Sequence, residues 1–325
     1  MGNCWFCYKD ADRVEYHPAC AKRFFGTEQV PSVELNDALL QEMASRTINE
    51  RIAVTGVQPK LSVTLEKVRK GEKNQNIRLA IVGLWGEYIL KPQHRLFASM
   101  PETEDLTMHI AVLFGIPVCD HCLLRASDGS LVYIARRFDR KKGKKIHQED
   151  LCQVAGFPTA NKYKSSYEKA GKLVRQYCTN AGLDALGYFE LVLFSFLCGN
   201  NDMHLKNFTL MHLEEGIALS PAYDLLNVQL INPRDMEELG MTLNGKKRKI
   251  KLTDLRVLAK ALQIPEKAME NVFKKFSVKN AQVNDLIRAS FLSDDLKDQY
   301  LKIWTDRQRI FTRDTGINDS YSVLD

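Results

Sequence analysis

Residues 199–210 read GNNDMHLKNFTL, and the eight from Asn200 to Asn207 contain only two apolar residues, Met203 and Leu205. The twelve residues before them, Gly187 to Cys198 (GYFELVLFSFLC), are nearly all apolar. A buried helix therefore ends at Gly199, a residue suited to the left-handed turn that closes helices. A short strand then begins at Phe208. The polar residues occupy a helix-to-strand loop over a packed core, the kind of rigidly held loop on which functional side chains concentrate.

The rest of the chain bounds what such a loop serves. With 325 residues, 45% hydrophobic and 26% charged, the composition is that of a globular protein large enough for one big domain or two lobes. No stretch approaches the roughly 18 apolar residues of a membrane span, so no membrane partner is expected. The start, MGNCWFCYKDADR, lacks the basic-then-apolar order of a secretory signal, so the expected compartment is the cytoplasm. Forty-six Lys and Arg against 40 Asp and Glu leave a net charge of +6, too small to imply nucleic acid unless concentrated. Two runs, Arg140–Lys145 (RKKGKK) and Lys246–Lys251 (KKRKIK), do concentrate it. Neither interleaves aromatic residues for stacking on bases, so both read as solvated loops without direct nucleic-acid contact.

Hydropathy patterning divides the chain into two halves. Leu61–Lys67, Ile77–Val82, Glu87–Lys91 and a hairpin turning at Asp128-Gly129 alternate as strands, interrupted by a helical pattern over Glu104–Phe114. A further helix is expected at Asn36–Arg46. Helical periods dominate from about residue 148: Tyr167–Cys178, Gly187–Cys198, Thr253–Leu262, Glu266–Phe276 and Asp294–Phe311, with a small hairpin around Glu214-Glu215-Gly216. The expected plan is α+β and two-lobed, with a Cys/His segment at 1–27, a β-rich N-lobe at 28–135 and a helical C-lobe at 136–325. A cleft between the lobes is the natural ligand site.

Asp202 and Asn207 stand five positions apart, the separation of the catalytic Asp and metal-binding Asn in the protein-kinase loop H-R-D-L-x-x-x-N. Phosphoryl transfer uses a carboxylate to orient an attacking hydroxyl and oxygen ligands to hold Mg²⁺ on the phosphates. Asp224, in LSPAYDLLN beyond the hairpin, stands where kinases place a second metal-binding carboxylate. His204 and Lys206 are candidates either to stabilise transferring charge or to fix the loop by hydrogen bonds. Lys91 ends a strand from which an ammonium reaches phosphates. TGVQPK places Thr55, Gly56, Val57, Gln58 and Lys60 before a strand, where backbone N–H groups wrap a phosphate. Ile134 to Arg140 (IARRFDR) join the two halves, where an adenine would bond to backbone. Each residue alone also suits an ordinary polar loop or a solvent-facing lysine; the combination is what favours chemistry.

Eight cysteines in a reducing compartment read as thiols or metal ligands rather than disulfides. Cys4, Cys7, His17 and Cys20 form C-x2-C-x9-H-x2-C, two close pairs of soft ligands around a short loop, the spacing of a zinc knuckle. Cys119 and Cys122, and Cys152, Cys178 and Cys198, sit in apolar surroundings that suit packing.

Taken in order, TGVQPK, YILKP, RRFDR, HQEDLCQVAG, GNNDMHLKNF and LSPAYDLLN resemble the HipA-like serine/threonine kinases, the toxins of bacterial toxin–antitoxin systems, over roughly residues 28–312. The resemblance implies a kinase-like fold, ATP and Mg²⁺, and protein phosphorylation, with an aminoacyl-tRNA synthetase as the substrate of characterised members. It makes Asp202 the base, Asn207 and Asp224 metal ligands, Lys91 the phosphate-pairing lysine, Thr55–Lys60 the phosphate-covering loop and Arg136–Phe138 the adenine contact. Full HipA toxins carry a further subdomain in front of this region, so the chain resembles the short HipT type, whose expected partners are a small HipS-like subunit and a DNA-binding antitoxin. The family often autophosphorylates a serine at this loop; here Ala53 and Thr55 stand at the matching positions, so Thr55 is the remaining acceptor. A kinase-shaped binding module without transfer, and a phosphotransferase acting on a small molecule or lipid, share most of these features and stay open.

Overall fold

The computed structural model describes residues 2–12, 14–34, 60–70, 74–82, 85–141 and 143–314. The helix expected at Asn36–Arg46, Ala53, and Thr55 to Gln58 of the phosphate-covering loop lie outside the described residues.

Five strands, β1 (Leu61–Lys70), β2 (Asn74–Ile81), β3 (Tyr88–Lys91), β4 (His121–Arg125) and β5 (Leu131–Arg136), form one antiparallel sheet in the order β2-β1-β3-β5-β4. Strand alternation sends Tyr88 and Leu90 to one face and Lys91 to the other, opposite Tyr133 of β5. Between β3 and β4 runs a helix that crosses the Lys91 face. With α1 (Pro18–Phe25) preceding it, this helix is α2 (Met100–Leu113). It begins one turn before the apolar period does, because Pro101 is tolerated in a first turn whose N–H groups have no intrahelical acceptor. That early start places Glu104 inside the helix rather than at its edge.

The second half is built on one apolar helix. After α3 (Leu151–Val154) and α4 (Tyr167–Tyr177), α5 (Ala181–Leu197) runs through the C-lobe core with Tyr188, Phe189, Phe194 and Leu197 all buried. It is longer than the expected Gly187–Cys198 because Gly182 and Asp184 break the apolar run without breaking the helix. It ends as expected at Gly199, whose φ of 75 degrees is left-handed. Against it pack α7 (Leu252–Ala261), α8 (Glu266–Ser277) and α10 (Asp294–Asp314), while α6 (Val228–Ile231) lies on α10 and α9 (Asn280–Ala289) packs on α2 and α10. The two-residue strands β6 (Arg140–Lys141) and β7 (Lys144–Lys145) pair with each other. The strand β8 (Gln148–Asp150) lies beside the hairpin β9 (Thr209–Leu213) and β10 (Gly216–Leu219), in the order β10-β9-β8. The α+β, two-lobed plan is borne out, with α1, α9, β8, the shortest helices and the β6–β7 pair, which lies in the run Arg140–Lys145 expected as a loop, added to it.

Two of the five basic residues in the run Lys246–Lys251 are ion-paired, Lys246 with Asp254 at 2.8 Å and Lys247 with Glu237 at 3.0 Å. Among the described residues no helix is long and apolar enough to cross a membrane.

The two halves are joined by aromatic packing. Phe114, just past α2, stacks on Phe276 of α8 at 4.5 Å and 6 degrees, and lies 5.5 Å from Trp304 of α10. Fully buried aromatic rings of this kind dominate core energetics. Phe114→Ala is expected to lower unfolding free energy by about 3–5 kcal/mol, read from denaturant melts as a lower midpoint at unchanged slope.

Candidate active site

The loop of GNNDMHLKNF is held from beneath. Met203 and Leu205 are its two apolar residues and both are fully buried. The Tyr167 hydroxyl donates to the Met203 carbonyl at 2.8 Å, and the Asn201 amide donates to the Glu237 carbonyl at 3.0 Å. Gly240 passes so close that a Cβ there would lie 2.7 Å from the Met203 carbonyl oxygen, so any larger residue would push the loop out of place. Inside the loop Asn207 Oδ1 accepts from the His204 backbone N–H at 3.1 Å. The loop is thus fixed by packing and hydrogen bonds, and Asp202 is left facing the cleft.

That cleft has a volume of about 620 Å³ and is lined by Lys60, Lys91, Lys162, Asp202, Asn207 and Asp224, among others. The Asp202 carboxylate accepts a hydrogen bond from the Tyr163 hydroxyl. Desolvation in this recess pushes its pKa up to about 6; the Tyr163 bond opposes the shift and the negative Asp224 adds to it.

Opposite it, Lys91 Nζ donates to Glu104 Oε1 of α2 at 2.7 Å and to Asp224 Oδ1 at 2.5 Å. Asn207 Nδ2 donates to Asp224 Oδ2 at 3.0 Å. One ammonium therefore bridges a strand and a helix of the N-lobe to a carboxylate of the C-lobe. Burial alone would depress the Lys91 pKa, but Asp224 and Glu104 raise it, so the ammonium stays charged. Burial likewise works against the Asp224 carboxylate, yet Lys91 and Lys60 hold it well below the usual carboxylate range. Burial pushes Glu104 up to about 7, with Lys91 opposing. Asp224 has φ of 59 degrees, a left-handed conformation that costs a non-glycine residue and that concentrates at functional sites.

His204 and Lys206 also line the cleft but are engaged with their own neighbours. Lys206 pairs with Asp150 at 2.6 Å, and its carbonyl accepts from the Tyr223 hydroxyl at 2.6 Å. His204 is buried, and burial followed by the nearby Lys162 charge lowers its pKa to about 4, so the ring is neutral and carries no positive charge to a phosphate. Its ring meets Tyr163 edge-on at 4.9 Å. Arg136 lies away from the cleft: its guanidinium covers Phe24 at 5.4 Å and approaches Asp120 at 3.6 Å, and its backbone N–H bonds to the Asp120 carbonyl. Phe138 packs on Tyr223 at 5.4 Å; Tyr223 lines the 620 Å³ cleft, whereas Arg136 and Phe138 do not. Sequence reasoning missed Glu104, Lys162 and Tyr163. Glu104 carried a usable signal, a carboxylate in a helix that follows the lysine strand; Lys162 and Tyr163 carried none.

At the other end of the chain Cys4, Cys7, His17 and Cys20 do come together. Their ligand atoms all lie within 4.8 Å of one another.

This arrangement, a curled antiparallel sheet with one helix above a helical lobe, is a kinase-like fold. Residues 52–283 match the family described as HipA-like C-terminal domain, and the chain belongs to that family. Protein Y4dM of Sinorhizobium fredii is 29% identical over 265 residues, which is 76% of this chain and 63% of that one. The serine/threonine-protein kinase toxin HipA of Shewanella oneidensis is 24% identical over 217 residues, 60% of this chain and 47% of the toxin. The chain thus spans about half to two-thirds of the length of the curated relatives it matches. Among solved structures, Shewanella oneidensis HipA in complex with HipB and operator DNA superposes with a TM-score of 0.64 at 20% identity, covering 81% of this chain and 65% of HipA. The Helicobacter pylori proinflammatory kinase CtkA gives a TM-score of 0.50 at 13% identity, covering 79% of this chain and 98% of CtkA.

Removing the bridging ammonium would leave Glu104 buried without a countercharge. Lys91→Met is therefore expected to lower stability by about 3 kcal/mol, and Lys91→Met with Glu104→Met to recover most of it, both read by chemical denaturation.

Proposed function

We propose that the chain is an ATP-dependent kinase that phosphorylates serine or threonine hydroxyls of proteins, acting in the cytoplasm as the toxin of a toxin–antitoxin pair. The observation that carries the proposal is the cleft itself: the Lys91–Glu104 pair from one lobe meets Asp224 and Asn207 from the other, with Asp202 on the same opening. A non-catalytic polar loop has no need of this set.

The cofactors proposed are ATP with Mg²⁺, and Zn²⁺ at Cys4, Cys7, His17 and Cys20. The donors fit Mg²⁺, which takes oxygen ligands. Asp224 is held ionised and faces the cleft, and Asn207 Oδ1 keeps a second lone pair beyond the one taken by His204. Bound Mg²⁺ would neutralise charge on the phosphates. The protein's own part is orientation and proton transfer. Lys91 holds phosphate oxygens by its ammonium, fixed in place by Glu104. Asp202 accepts the proton of the acceptor hydroxyl as that oxygen forms its bond to the γ-phosphorus. The bond from γ-phosphorus to the bridging oxygen breaks, and its electron pair leaves with ADP. Lys60, in the sequence TGVQPK, lines the cleft as a further cation, and Thr55 is the proposed site of autophosphorylation.

Substrate and partners follow from relatives. A translation protein such as an aminoacyl-tRNA synthetase is the proposed acceptor, on the strength of the family motifs. A DNA-binding antitoxin is a proposed partner because HipA is known in a complex with HipB and operator DNA; a small HipS-like subunit is the other.

With labelled ATP, Mg²⁺ and a bacterial lysate, Asp202→Asn is expected to cut transfer by about 10²-fold or more while ATP binding persists. Undiminished transfer would remove Asp202 from the mechanism. Because the base must be ionised, activity should rise with pH through about 6, the value to which Asp202 is raised. Tyr163→Phe deletes the hydrogen bond that opposes the shift, so that acid limb should move to higher pH; a limb that stays in place would assign it to another group.

A further inference from the structure

The Cys/His segment does more than hold itself together. Its four ligand groups have the composition of a closed structural zinc site, three cysteines and a histidine. His17 Nε2 lies 2.9 Å from the Asp10 carbonyl oxygen, which leaves Nδ1 turned toward Cys7 Sγ at 3.5 Å and Cys20 Sγ at 3.8 Å. A carbonyl on the far ring nitrogen is the usual companion of a metal-bound histidine. The Cys7 and Tyr8 backbone N–H groups both bond to the Cys4 carbonyl, at 3.3 and 3.0 Å, closing a tight knuckle in which Tyr8 has φ of 59 degrees.

From this knuckle the segment reaches both faces of the N-lobe sheet. It meets the free edge at β4, where the Leu123 N–H bonds to the Trp5 carbonyl at 3.2 Å. On the Lys91 face, Tyr8, one residue after Cys7, donates its hydroxyl to Asp105 Oδ2 at 2.8 Å and lies 4.3 Å from the His109 ring. Asp105 is the neighbour of Glu104 on α2, and its other oxygen bonds to His121 Nδ1 of β4 at 2.7 Å. On the opposite face α1, which contains Cys20, sets Phe24 and Phe25 each 5.6 Å from Tyr88, and the Tyr88 hydroxyl bonds to the Phe24 carbonyl at 3.4 Å. Tyr88 opens the strand that ends in Lys91.

We infer that Cys4, Cys7, His17 and Cys20 bind one Zn²⁺ and that the metal-closed segment is a positioning clamp, holding α2 through Tyr8–Asp105 and β3 through Phe24 and Phe25–Tyr88, and so setting the Lys91–Glu104 pair. Each contact sits within five residues of a ligand, so loss of the metal frees both at once. The effect on phosphate transfer rests on the proposed kinase function; metal binding and the positioning do not.

The test uses the full chain, measuring zinc by elemental analysis and amide hydrogen exchange in zinc-loaded protein and in protein stripped with a zinc chelator, then returned to Mg²⁺. The expected results are about one zinc per chain and, after stripping, roughly tenfold faster exchange over residues 88–91 and 100–113, with α5 unchanged as the internal reference. Tyr8→Phe should keep its zinc and speed exchange over 100–113 alone. Protein purified without zinc, exchange that is the same with and without metal, or a Tyr8→Phe variant indistinguishable from wild type over 100–113 would each overturn the clamp. If neither form binds ATP or transfers phosphate, the kinase reading fails while zinc content and exchange still decide the clamp. If the kinase reading holds, stripping should also raise the KM for ATP.

Discussion

Everything in the cleft depends on where one ammonium sits. Lys91 is nearly fully buried, and a buried ammonium is tolerated only with close countercharges. Glu104 and Asp224 supply them from two different parts of the chain. The strand, the helix and the C-lobe segment are therefore mutually constrained: displacing any one leaves a charge without a partner in a poorly hydrated place. A nucleotide would enter a site already organised in this way, which is how preorganised electrostatics reduces the cost of reaction.

The supports of that ammonium are of a different kind from the ammonium itself. Phe114 ties the end of α2 to the C-lobe by ring stacking, and the polar loop stands on Met203 and Leu205. Tyr163 holds Asp202 while His204 holds Tyr163. These side chains need no charge at the cleft; they limit the movement of those that carry it. The Cys/His segment belongs with them, since its contacts run to the helix and strand of the ion pair and not to the cleft.

Patterning carried much of the architecture. The apolar stretch before Gly199, the alternation in the first half and the five-residue step from Asp202 to Asn207 depend on neighbours in sequence, and local periodicity records those. Element ends were less visible, as at α5, where Gly182 and Asp184 interrupt the apolar run but not the helix. The surroundings of Arg136 were hidden for another reason: its guanidinium is engaged by Phe24, 112 residues away, and by Asp120, 16 residues away.

The sequence by itself determined the two-lobed α+β plan, the polar loop with Asp202 and Asn207, and the soft-ligand spacing of Cys4, Cys7, His17 and Cys20. These are short-range properties of residue type and spacing. Only the tertiary structure decided that Glu104 and Asp224 share Lys91, that His204 is a neutral buried ring, and that the Cys/His segment grips α2 and β3. Each of those depends on which distant groups burial brings together and how much water it leaves around them, and neither is written in local order.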